Sequence, residues 1–91
     1  MFLLGRSVIL SGVRTPFGKF GEALSSLAAS QLGGIGVKEA IARAGVNPED
    51  VQEVILGTVL QGGQGQIPSR QAGREAGLSW EVKTETINKV C

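Results

Sequence analysis

The chain has 91 residues, 42% of them apolar and 14 of them glycine, about twice the usual share. Nine Lys and Arg against eight Asp and Glu leave a net charge of +1. That balance excludes the strong bias expected of a nucleic-acid, anionic-membrane or polyacid binder. The length suits one small domain or a piece of a larger one.

Met1-Phe2-Leu3-Leu4 is apolar, but Gly5-Arg6 closes the run at once. A secretory leader has the reverse order, basic residues first and a longer apolar stretch after. No stretch reaches the roughly 18–20 apolar residues of a membrane span. A soluble cytoplasmic protein is the expectation.

Ser7-Val8-Ile9-Leu10-Ser11-Gly12 is a short β-branched run closed by glycine, which predicts a buried first strand. Pro16, Gly18 and Gly21 make the next stretch a loop. Phe17 and Phe20 lie in it and are expected to pack onto something.

Ser25 or Ser26 is placed to cap a helix predicted over residues 26–44, with Gly45 at its C-terminal end. Gly33, Gly34 and Gly36 interrupt it, at about 1 kcal/mol each relative to Ala. One helix is expected through them, the glycines serving close approach to another backbone. A break near Gly33-Gly34 is the competing reading.

Asn47-Pro48-Glu49-Asp50 is a helix start of about one turn. Residues 53–59 then read as a second buried strand. Gln61 to Pro68 is a loop rich in glycine and glutamine, and residues 69–76 form a short helix ended by Gly77. Residues 83–90 alternate polar and β-branched side chains, which predicts a third strand running into Cys91. The expected fold class is α/β, in the order β-α-β-α-β, with parallel pairing. Ligands in such sheets sit at the carboxyl ends of the strands, where Cys91 falls.

Gly62-Gly63-Gln64-Gly65 lacks the Lys-Ser/Thr of a phosphate loop, since Ile67-Pro68 follows. The loop after the first strand lacks the spaced glycines of a dinucleotide fingerprint. An ordered loop with glutamines supplying hydrogen bonds is the expectation. Arg70 and Arg74 share a helix face, read either as an anion or interface contact or as a solvated surface. Arg14, with Lys19, is an anion candidate or a partner of a local carboxylate.

The chain has one Cys, no His and no Tyr. One thiol excludes an internal disulfide, and without His a zinc site is not expected. A Cys between a strand and a following helix receives the helix's N-terminal field, which favours thiolate. A thiol nucleophile also needs a base, and this chain has no imidazole to provide one. On composition alone an inert terminal Cys91 is the competing reading.

Four motifs together are similar to those of thiolases. They are Val13-Arg14-Thr15-Pro16-Phe17-Gly18-Lys19, Pro48-Glu49-Asp50-Val51-Gln52-Glu53-Val54-Ile55-Leu56-Gly57, Gly65-Gln66-Ile67-Pro68-Ser69-Arg70-Gln71-Ala72 and Thr86-Ile87-Asn88-Lys89-Val90-Cys91. Their order and spread cover the chain from about Ser7 to Cys91 and resemble the acetoacetyl-CoA-forming type.

The resemblance implies an acyltransferase that condenses two acetyl-CoA molecules, or cleaves 3-ketoacyl-CoA with CoA. Cys91 would be the catalytic residue, acylated through sulfur, its own N–H helping to hold the thioester oxygen. The complete fold it implies has two α/β halves in five layers, αβαβα. Residues 1–91 would then be an incomplete N-terminal half, inactive alone. The activating His, a second Cys and the CoA-holding loop domain would lie beyond Cys91.

CoA and acyl-CoA would be substrates, and no residue here matches a cofactor, CoA-binding or metal motif. The partners implied are the remainder of the chain and further copies of it. A homodimer or homotetramer would form through the third strand, between Thr84 and Val90, with the loop from Gly62 to Ile67 near a subunit contact. No nucleic-acid or membrane partner is expected. Two other readings stand beside this one: an independent α/β module that recruits a partner at an open sheet edge, and a piece of a related condensing enzyme, either a 3-ketoacyl-CoA thiolase or a ketoacyl synthase.

Overall fold

The computed structural model describes residues 5–90, so Cys91 lies outside the described residues. Helix α1 spans Ala29–Ala44 and is continuous through its glycines. It starts three residues later than residue 26. The stretch before it is taken up by turns, Ser25 N–H donating to Glu22 O and Leu27 N–H to Leu24 O. Ser25 Oγ bonds Glu22 O at 2.7 Å and caps nothing. The N-cap position is instead held by Ala28, whose N–H donates to Gln31 Oε1 at 2.7 Å. Gly45 ends α1 in the left-handed region at φ 69°, where a Cβ would be strained.

A single 3-10 turn, Pro48–Asp50, follows, with Asn47 Oδ1 accepting from Glu49 N–H at 3.0 Å. Strand β1 is Glu53–Gly57, helix α2 is Pro68–Glu75 and strand β2 is Lys83–Ile87. The strands pair in parallel, Val54 opposite Thr84 and Leu56 opposite Thr86, so α2 is the crossover of one β-α-β unit. The core lies between this sheet and the helices, built on Val54, Ala76, Leu78 and Val82 with Val37, Ile41 and Leu56 against them. Period-two alternation turns Val54 and Leu56 inward and leaves Ile55 outward and exposed.

Three expectations are corrected. Residues 7–12 form no strand, and Val8, Ile9 and Leu10 stand 65%, 93% and 63% exposed. A strand requires a neighbour to take its N–H and C=O groups, and among the described residues this run has none. It lies along α1 instead, where the Ser11 hydroxyl donates to Ala40 O at 2.7 Å. The observed order is therefore α-β-α-β. For the same reason β1 is half-buried rather than buried, since one of its faces is uncovered. Phe17 and Phe20 are not packed into the core and stand 93% and 103% exposed.

The surface carries the consequence. The chain exposes 7091 Å², against about 5,000 Å² for a compact monomer of this mass. Its radius of gyration is 14.5 Å, against about 12 Å for a compact chain of this length.

Candidate functional site

The carboxyl ends of β1 and β2 open beside the N-terminus of α2. Ile67, at that N-terminus, has no side-chain acceptor and sits at φ 45°. The missing acceptor comes from the sheet. Thr86 Oγ1 accepts from Ser69 N–H at 3.1 Å and donates to Ser69 Oγ at 2.7 Å. Ser69 is fully buried, so both of its polar groups depend on Thr86. A mainly apolar cavity of about 120 Å³ lies next to this pair, between Gly33, Leu56, Thr58, Gln64 and Thr86.

Beyond β2 the pairing continues by another means. Thr58 N–H donates to Ile87 O at 2.9 Å, the last backbone rung. The next rung is a side chain, Asn88 Nδ2 donating to Val59 O at 2.7 Å. The same amide turns the chain, Asn88 Oδ1 accepting from Val90 N–H at 2.8 Å. Val90 then sits at φ 57°, a costly conformation for a β-branched residue. The third strand is thus shorter than residues 83–90, because from Asn88 onward side-chain bonds replace the ladder.

The loop after β1 is ordered by glutamines, one from the loop itself, Gln64, and one from helix α2, Gln71. Gln71 Nε2 donates to Gln64 O at 2.7 Å and to Gln66 O at 2.9 Å. Gln64 Nε2 donates to Leu60 O. Gly65, at φ 78°, passes so near Gln71 that a Cβ would stand 3.1 Å from Nε2.

Arg70 is half-buried and Arg74 exposed, and both also bond backbone beyond their helix. Arg70 Nη1 donates to Trp80 O at 2.8 Å, and Arg74 Nη1 donates to Leu78 O. The Arg74 guanidinium also lies 4.3 Å above the Trp80 ring. Together they brace the turn between α2 and β2. Among the described residues Arg14 meets no carboxylate; it donates to Thr15 O at 3.2 Å and lies 5.1 Å from the Phe17 ring centre.

Among the sequence candidates, then, none of Arg14, Arg70 and Arg74 joins the open end of the sheet, and Cys91 is outside the described residues. Thr86 and Asn88 were not singled out as site residues. The alternation of residues 83–90 placed Thr86 on the inward face, and an Asn directly after a strand is a turn-forming type. Which groups they bond is decided by α2 and by Val59, distant in sequence.

A parallel β-α-β unit, with ordered loops gathered at the carboxyl ends of its strands, defines the molecule as an α/β protein. More narrowly, the chain belongs to the thiolase family, the family model described as "Thiolase, N-terminal domain" matching residues 7–91. It is 54% identical over 88 residues to the mitochondrial acetyl-CoA acetyltransferase of Xenopus tropicalis, covering 97% of this chain and 21% of the relative. It is 54% identical over 84 residues to the acetyl-CoA acetyltransferase of Cupriavidus necator, covering 92% and 21%. The crystal structure of Acat5 thiolase from Ascaris suum in complex with coenzyme A superposes with a TM-score of 0.86 at 41% identity, covering 89% of this chain and 21% of that one. The chain thus spans about a fifth of the length of these relatives.

Proposed function

We propose that this chain is the nucleophile-bearing part of an acetyl-CoA acetyltransferase. The observation that carries the reading is the family match, which runs to residue 91 and so includes Cys91. In the proposed reaction the Cys91 thiolate attacks the carbonyl carbon of acetyl-CoA. The bond from Cys91 sulfur to the acyl carbon forms, the bond to the CoA sulfur breaks, and CoA leaves as a thiol with the proton Cys91 gave up. A second acetyl-CoA, deprotonated at its α-carbon, attacks the acetyl-enzyme, yielding acetoacetyl-CoA and free Cys91. Thiolysis is the reverse.

The chain contains no His, so an imidazole base for either half-reaction would come from outside these 91 residues. The surface supports the same view. Roughly 2,000 Å² beyond what a compact monomer exposes, with Val8, Ile9, Phe17 and Phe20 on it, fits a segment covered by more protein and not an independent module.

CoA and acyl-CoA are the proposed substrates, with no residue of this chain assigned to hold CoA. The proposed partners are the rest of the thiolase and further copies of it. The edge of β2 away from β1, unpaired among the described residues, is the proposed homodimer or homotetramer contact.

The test uses the complete protein. Incubation with acetyl-CoA should leave an acetyl group on the peptide ending at or spanning Cys91, seen by mass spectrometry. Acetoacetyl-CoA should lose its enolate absorbance on addition of CoA, with no carrier protein present. C91S should abolish both. Acetylation elsewhere with full activity in C91S would overturn the reading.

A further inference from the structure

We propose that Asn88 is a positioning residue for the Cys91 nucleophile, acting as a two-ended tether between β1's extension and the turn that enters residue 91. The proposal rests on the assignment of Cys91 above.

The observations are local and independent of any ligand. Asn88 holds two backbone groups from different segments with one amide: Nδ2 donates to Val59 O at 2.7 Å, and Oδ1 accepts from Val90 N–H at 2.8 Å. Val59 follows β1 directly in the chain, past Thr58, which is itself bonded to Ile87 O. The tether therefore joins the turn at Val90 to the rigid end of the sheet. Val90 sits at φ 57°, which a valine leaves unless something holds it. Within that turn the holding group is Asn88 Oδ1.

The direction in which the chain leaves Val90 sets where the N–H and side chain of the next residue begin. A nucleophile misplaced by about 1 Å costs on the order of 100-fold in rate. An Asn fits both ends because its amide carries a donor and an acceptor on one planar group. Asp has no donor for Val59 O, and Ser is too short to reach both groups.

The test is run on the complete protein with three variants. In N88A, acetylation of Cys91 by saturating acetyl-CoA should slow by roughly 10- to 100-fold. The Km for acetyl-CoA should stay within about twofold, as expected when a group acts on the bound state's geometry. The double variant N88A/V90G should recover part of the loss, because glycine enters the left-handed region without a tether. A merely structural Asn88 predicts the opposite for the double variant, a further loss of stability with no gain in rate.

If N88A does not fold, N88S carries the test. Its hydroxyl serves one end only, and the acetylation rate should fall by about threefold or more. Wild-type acetylation rates in N88A, or in N88S where N88A does not fold, overturn the proposal. The two layers separate cleanly. No acetyl group on Cys91 in the wild-type protein defeats the assignment of the nucleophile. A normal acetyl-Cys91 in wild type and variants alike defeats the tether alone.

Discussion

Gly34 of α1 and Glu75 of α2 are in backbone-to-side-chain contact with no room for a methyl group between them. A Cβ built on Gly34 would overlap Glu75 Cβ and stand 3.1 Å from Ala72 O. Gly33 makes a looser version of the same contact, its added Cβ 3.3 Å from Ala72 Cβ. The two helices touch here because the residues facing each other are glycine and alanine. That contact holds α2 over the sheet and so holds the end that Thr86 caps.

Gly34→Ala should therefore destabilise the protein by about 1–3 kcal/mol through overpacking, although alanine is the better helix former. Gly36→Ala, two residues on, meets nothing within 4 Å and should stabilise by about 0.5–1 kcal/mol. Urea midpoints of the two variants against wild type check both signs. A stabilised G34A would mean that the helices separate easily at this point.

Thr86→Val keeps the shape of the side chain and removes the oxygen. The buried Ser69 N–H and Oγ each lose their partner, and the cost should be about 1–3 kcal/mol. Thr86→Ser retains the hydroxyl and should recover most of it. Hydrogen exchange at the Ser69 amide reads the contact directly. Faster exchange is expected in T86V and wild-type protection in T86S.

Gln71→Leu removes the donor shared by Gln64 O and Gln66 O. The loop between β1 and α2 should loosen while the helix itself persists. Limited proteolysis should cut between residues 61 and 67 several-fold faster than in wild type, roughly as the population of the opened loop rises. Cleavage at an unchanged rate would show that Gln64's own bond to Leu60 O suffices to order the loop.

Much of this molecule was legible in one dimension. Asn47-Pro48 announces its turn because the cap and the fixed φ of proline act within three residues. Gly45 ends α1 for an equally local reason. The alternation from Lys83 onward marks β2, and Gln64, in the loop after β1, donates within that loop as its type suggests, whereas Gln71 serves the loop from helix α2. The thiolase motifs, too, are sequence patterns, and the family follows from them.

The tertiary structure decided what depends on partners far along the chain. Val8-Ile9-Leu10 carries every local mark of a strand, yet strand formation belongs to a pair, and no described neighbour bonds it. The bonds of Arg70 and Arg74 to Trp80 O and Leu78 O exist only because the turn after α2 folds back under that helix. Thr86 became the cap of a helix 17 positions away, and Asn88 a rung to Val59, 29 positions away. The opening composition, one Cys and no His, determined that no imidazole is available from these 91 residues. The reach of Asn88 to Val59 joins groups far apart in the chain, which no local pattern encodes.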